Sequence, residues 1–204
     1  MSAIDLLESQ HREVEKLFSQ IEKAKDSEKK TQLFQETADK LAIHAAIEEH
    51  HFYPAVKAKR TEDILLESLE EHVTIKRTLA DLMSIDADDE TFDAKVKVLK
   101  EEVEHHVGEE EGELFPKVKK ILAAAELDAL EQEMVAEQEE LVEAGEPRAS
   151  IPNETDKAAP LPLLHPGELR AALTSSAAAN VSHHSLTRAV WRSSSSDGGR
   201  LPVT

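Results

Sequence analysis

The sequence predicts an all-α fold: an up-down-up-down four-helix bundle, a short fifth helix and a largely disordered C-terminal tail. Three observations carry that prediction. Glu, Lys, Leu and Ala dominate the first 145 residues, where Gly and Pro are scarce, a composition that favours helix. Apolar residues recur at steps of three and four through four long stretches, the spacing of one helical face. Residues 1–61 and 62–122 also read as two copies of one helical hairpin, and hairpins with short connections pack as antiparallel bundles.

The first helix is expected over about 3–25, with Ile4, Leu7, His11, Val14, Phe18 and Ile21 on its inner stripe. The second, about 28–59, carries Leu33, Thr37, Leu41, His44, Glu48 and Phe52, and Pro54 should kink or interrupt it near its end. The third, about 62–84, presents Leu65, Leu69, His72, Ile75, Leu79 and Leu82. Ser84–Glu90, with three aspartates, reads as a turn and N-cap region. The fourth, about 91–122, presents Val96, Leu99, Val103, His106, Glu110 and Leu114. A shorter fifth helix, about 126–144, stops at Gly145-Glu146-Pro147. The domain is therefore placed at 1–146. Residues 147–204 are rich in Ala, Ser and Pro and read as a low-complexity tail, with a short helix near 166–179 and a His183-His184 pair without site spacing.

Polar residues on the core stripes carry the chemistry. His44 is followed by Glu48 and then by Phe52-Tyr53-Pro54; His106 is followed by Glu110 and then by Leu114-Phe115-Pro116. Each copy also has a His upstream: His11 is 33 residues before His44, and His72 is 34 before His106. Positions i and i+4 share a helical face, so each His–Glu pair can reach one centre. A carboxylate buried without a partner costs several kcal/mol or is neutralised. A lone inward His is ordinarily a hydrogen-bonded core residue. Six polar intrusions at matched spacings in two repeated halves instead call for a common partner, and a pair of metal ions satisfies all six. The candidate ligands are His11, His44, Glu48, His72, His106 and Glu110. Imidazole with carboxylate suits iron, with manganese or zinc as alternatives. Six ligands cannot fill two octahedral shells, so positions stay open for water, oxide or a small molecule. Of the neighbours, His50, His51 and His105 read as outer or surface residues, and Glu109-Glu110-Glu111 as a solvated run in which only Glu110 points inward. Phe52, Tyr53, Leu114 and Phe115 read as core and as an apolar lid.

The pattern His11…His44-x-x-x-Glu48…His72…His106-x-x-x-Glu110, with its flanking Phe-Tyr-Pro and Leu-Phe-Pro, resembles the hemerythrin-like HHE cation-binding domain. The resemblance covers about residues 1–122, or through the fifth helix, and not the tail. It implies a di-iron centre inside a four-helix bundle, and binding or sensing of dioxygen, nitric oxide or peroxide. Oxygen-carrying members of the family have a further His four residues after the third-helix ligand, where this chain has Lys76. They also place an Asp at i+5 in the fourth helix, where Glu110 stands at i+4. These departures point towards reactive or sensing chemistry rather than oxygen carriage.

Two other readings compete. A ferritin-like carboxylate di-iron oxidase uses Glu-x-x-His, a spacing found at Glu8–His11, Glu48–His51 and Glu102–His105. An acidic helical interaction module would need no metal. Whether the protein is an enzyme stays open. The formal charge of -18 opposes nucleic acid and anionic membrane surfaces. Only 6 of 24 basic and 4 of 42 acidic residues lie from Pro147 onward, so residues 1–146 carry a net -20. With no cysteine, thiolate metal sites and disulfides are excluded. The start lacks the basic and apolar regions of a leader, and no apolar run approaches the ~20 residues of a membrane span; a cytoplasmic location is expected.

Overall fold

A computed structural model describes residues 1–58 and 60–161. Helix α1 (Ala3–Lys23) begins at Ser2, whose hydroxyl accepts the Asp5 N–H while the Asp5 carboxylate accepts the Ser2 N–H. That reciprocal pair satisfies two donors that no helical carbonyl can reach. Asp26 caps α2 (Ser27–Ile47) with a single bond, its carboxylate accepting from the Lys29 N–H. After α4 (Glu62–Met83), Asp89 accepts from both the N–H and the hydroxyl of Thr91 and so leads into α5 (Phe92–Glu109). Every residue assigned to the four inner stripes is buried. α1 packs along α2 and α4 along α5, as two hairpins require.

The second and fourth helices are not continuous. Each widens into one π-helical turn, Glu48–Phe52 and Glu110–Leu114, before resuming as α3 (Tyr53–Val56) and α6 (Phe115–Val118). Pro54 and Pro116 have no N–H to return to the carbonyl four residues back. The residue before each proline instead bonds five residues back: Tyr53 N–H to the Glu48 carbonyl, and Phe115 N–H to the Glu110 carbonyl. Single π turns inside α-helices often mark functional positions, and each of these begins on a candidate ligand.

The apolar core is divided in two. One cluster contains Ile4, Leu7, Phe52, Tyr53, Leu65, Leu114 and Phe115. The other contains Val14, Phe18, Leu33, Ile75, Leu79, Val96 and Leu99. Along each helix the candidate ligands fall between these sets. The fifth long helix, α7 (Ala124–Ala144), packs on α1 and α2 and buries Leu127, Leu130 and Met134. It stops at Gly145, whose φ of 79° lies in the region that favours glycine. Among the described residues no helix is long and apolar enough to cross a membrane.

The boundary drawn from composition at Pro147 falls inside the packed structure. Pro147–Asn153 forms a 3-10 helix lying on α2 and α4, with Ile151 buried. Arg148 pairs with Asp39 at 2.6 Å, Lys76 pairs with Glu154 at 2.8 Å, and Arg77 donates to the carbonyls of Thr155 and Asp156. An Ala/Ser/Pro-rich segment thus holds its place as a strap through one buried Ile and these polar contacts with α2 and α4. The expected helix near 166–179 and the His183-His184 pair lie outside the described residues.

Candidate metal centre

Each inner stripe delivers its polar residues to one level of the bundle. α1 brings His11, α2 with its π turn brings His44 and Glu48, α4 brings His72, and α5 with its π turn brings His106 and Glu110. All six are buried. His11 Nε2 lies 3.2 Å from His44 Nε2 and 3.3 Å from Glu110 Oε2. His44 Nε2 lies 3.2 Å from Glu48 Oε2. On the other side, His72 Nε2 lies 3.1 Å from His106 Nε2 and 3.3 Å from Glu48 Oε2, and His106 Nε2 lies 3.7 Å from Glu110 Oε2.

The outer nitrogens decide what these contacts are. His11 Nδ1 lies 2.8 Å from Glu111 Oε1, His72 Nδ1 2.8 Å from Glu49 Oε1, and His106 Nδ1 2.8 Å from Glu71 Oε2. His44 Nδ1 lies 2.7 Å from Gln10 Oε1, and the Gln10 amide in turn donates to Gln138 on α7. These partners only accept, so each Nδ1 carries the hydrogen and each Nε2 presents a lone pair. Four lone pairs therefore converge in two pairs, beside two carboxylates. Glu48 Oε1 and Glu110 Oε2 are buried without a hydrogen-bond partner. Facing lone pairs and orphaned carboxylate oxygens repel one another unless cations lie between them. The donor set fits divalent or trivalent metal ions, and the outer acceptors are those that orient metal-bound imidazoles.

Burial and neighbouring charge set the protonation of the metal-free groups. Burial pushes the His44 imidazolium well down, and the neighbouring His11 pushes it further. Burial also lowers His72, against the raising effect of Glu49. Burial and the adjacent Glu110 charge push the Glu48 carboxyl up, whereas the surrounding histidines overcome burial and hold Glu110 down. His106 is raised because Glu110 and Glu71 outweigh its burial. Burial would raise Glu49, but His72 and Lys76 bring it to about 2.

The centre is walled on one side by aromatic rings. The Phe115 ring lies parallel to His11 at 6.1 Å, and Tyr53 tilts over His72 at 5.5 Å. On the other side the four histidines border a cavity of about 30 Å³ lined by Val14, Leu41, Ile75, Leu79, Val103 and Ile151. About 10–15 Å³ holds one water, so the space suits a molecule of two or three heavy atoms.

Several roles emerge that residue spacing did not reveal. Glu111, assigned to a solvated run, accepts from His11 and pairs with Arg12. Glu49, Glu71 and Gln10 hold the other three imidazoles. A signal for them was present: the residue after each candidate Glu and the residue before His11 and His72 can all accept hydrogen bonds. Lys76, where oxygen carriers have a His, bonds Glu49 at 2.9 and 3.1 Å. It supports His72 through that carboxylate. Tyr53, read as core and lid, also places its hydroxyl 3.1 Å from Glu110 Oε1. The Glu-x-x-His spacing of an oxidase does not assemble: His51 pairs with Glu137 on α7 at 2.7 Å, and His105 is exposed beside Glu71 and Glu109.

A family model described as the hemerythrin HHE cation-binding domain matches residues 2–118. A solved structure of a hemerythrin HHE cation-binding domain-containing protein from Mycobacterium kansasii is 25% identical, with a TM-score of 0.66. That likeness covers 76% of this chain and 99% of the other. A protein described as a DNA nickase, from Nostoc sp., is 27% identical over 128 residues. The match is 63% of this chain and 36% of the nickase, so the chain spans about a third of that relative's length.

Proposed function

Because the chain belongs to the hemerythrin HHE cation-binding family, matched over residues 2–118, we propose that it is a non-haem di-iron protein that binds or senses a small molecule. Dioxygen, nitric oxide and peroxide are the candidates. His11 and His44 would hold one ion and His72 and His106 the other, with Glu48 and Glu110 reaching both. The observation that carries this reading is the convergence of four Nε2 lone pairs on two buried carboxylates, each of which keeps one oxygen without a hydrogen-bond partner. Iron, when bound, supplies redox chemistry and open coordination positions for the small molecule.

The chain's own residues prepare the site. Glu111, Gln10, Glu49 and Glu71 set the tautomer and ring orientation of the four histidines. Phe52, Tyr53 and Phe115 exclude water from one side. The apolar cavity beside the histidines, about 30 Å³, has room for a molecule the size of a diatomic or peroxide. Lys76 keeps its ammonium on Glu49 and Glu154, so the fifth histidine of an oxygen carrier has no counterpart there. That favours sensing or consumption over reversible carriage.

The nickase description belongs to a much longer protein, and the net charge of this chain, -18, opposes a phosphate backbone. A location in the cytoplasm is the proposed setting. The test is to purify the full chain in air, then measure metal content per chain and the visible spectrum. About two irons with oxo-bridged charge-transfer bands are expected. His44→Ala and His106→Ala should lose iron while helicity persists. Undiminished iron in both variants would falsify the assignment.

A further inference from the structure

The two halves of the centre are unequal. His11, His44, Glu48 and Glu110 bring four donor atoms within 4.8 Å of one another, whereas Glu48, His72 and His106 bring three. Beside the three-donor group stands the Tyr53 hydroxyl. It lies 3.2 Å from His72 Nε2, 3.4 Å from Glu48 Oε2 and 3.1 Å from Glu110 Oε1. The equivalent position of the other hairpin is Phe115, which lies over His11 and has no donor to offer. Tyr53 is fully buried.

Two features mark this hydroxyl as more than a hydrogen-bonded core group. A hydroxyl has one hydrogen, yet it faces three atoms that present lone pairs, since the His72 hydrogen is spent on Glu49. The separations are also those of atoms sharing an ion, because bonds of about 2.0–2.2 Å leave neighbouring donors about 3.0–3.5 Å apart. The π turn explains how Tyr53 comes to be there. In an α-helix the residue five after Glu48 points away from it; with the Tyr53 N–H bonded to the Glu48 carbonyl, both side chains fall on one face.

We propose that Tyr53 is a metal ligand, its phenolate oxygen completing the His72–His106–Glu48 group so that the two ions occupy unlike shells. The inference rests on the two-ion reading above. As the cation enters, the Tyr53 O–H bond breaks, an oxygen–metal bond forms and the proton leaves to solvent. No electron moves in that step. Each group then offers four protein donors, and only one of the two contains a phenolate.

The chain contains a single tyrosine, which makes the experiment decisive. The full chain is loaded with ferrous iron, oxidised in air and read for a tyrosinate-to-iron charge-transfer band with resonance-enhanced phenolate vibrations. In parallel, zinc is titrated into weakly buffered protein and the released protons are counted, for the parent and for Tyr53→Phe. The expected result is a tyrosinate signature in the parent, its loss in Tyr53→Phe at unchanged iron content, and about one proton fewer released per chain by the variant. A two-iron parent without the signature, or equal proton release from both, overturns the Tyr53 assignment alone. A parent that takes up no iron overturns the metal reading and this inference together.

Discussion

Ile151→Ala tests whether the strap that follows the fifth helix belongs to the folded unit. Ile151 is 1% exposed, and it closes the cavity beside the four histidines. Replacing a buried Ile by Ala costs about 2–5 kcal/mol, the upper part applying where the surroundings cannot collapse into the space. The opposite wall is four imidazoles held by outer hydrogen bonds, so collapse is restricted and about 3 kcal/mol is expected. The strap cannot relieve the loss by lifting away. It would forfeit Arg148–Asp39, Lys76–Glu154 and the Arg77 bonds to the Thr155 and Asp156 carbonyls. For a chain of this size each kcal/mol moves Tm by about 2–4 °C, so thermal unfolding followed by circular dichroism should shift down by about 6–12 °C. Ser150→Ala, at an exposed neighbour, serves as the control and should stay within about 0.5 kcal/mol of the parent. An Ile151→Ala variant that melts with the parent would refute the reasoning and return residues 147–161 to the tail.

Two further outcomes follow from the charges around the centre. Lys76→Met removes the ammonium 2.9 Å from the buried Glu49 carboxylate and leaves it only the His72 N–H; losing one partner of a buried pair costs about 3–5 kcal/mol when nothing else compensates, and the His72 bond should hold the loss at or below the lower end. Adding Glu49→Gln should recover part of the loss in a urea melt, and a double variant less stable than the single would contradict the pairing. Acid should also destabilise the metal-free protein. His44 and His72 are held below their ordinary value, so below about 6.5 the unfolded chain takes up protons that the folded one refuses, and stability falls as pH falls. Glu49, held at about 2 against an ordinary 4.5, adds a second loss between those values, worth about 3 kcal/mol when complete. The raised Glu48 and His106 oppose part of this. A metal-free Tm at pH 5 equal to or above that at pH 7 would contradict the sign.

The helices and the inward-facing residues were legible in the sequence because a 3.6-residue period writes burial directly into the order of residues. His11, His44, Glu48, His72, His106 and Glu110 stood out as polar members of apolar stripes, and the structure places all six in the core. Three things depended on tertiary structure. The π turns came from the prolines after Tyr53 and Phe115, which removed a donor that a simple period assumes, and the shift brought Tyr53 over Glu48. The acceptors Gln10, Glu49, Glu71 and Glu111 sit at positions that a helical period assigns to the flank; only the approach of a neighbouring helix turns them towards an imidazole. The strap contains too few apolar residues to register as structure by composition. One of them, Ile151, is buried where the strap packs on α2 and α4, and that surface exists only once the bundle has formed. The sequence by itself therefore determined the periodic helices and the polar residues they turn inward. The tertiary structure decided which side chains face each other across helices, since contacts between distant segments have no fixed spacing along the chain.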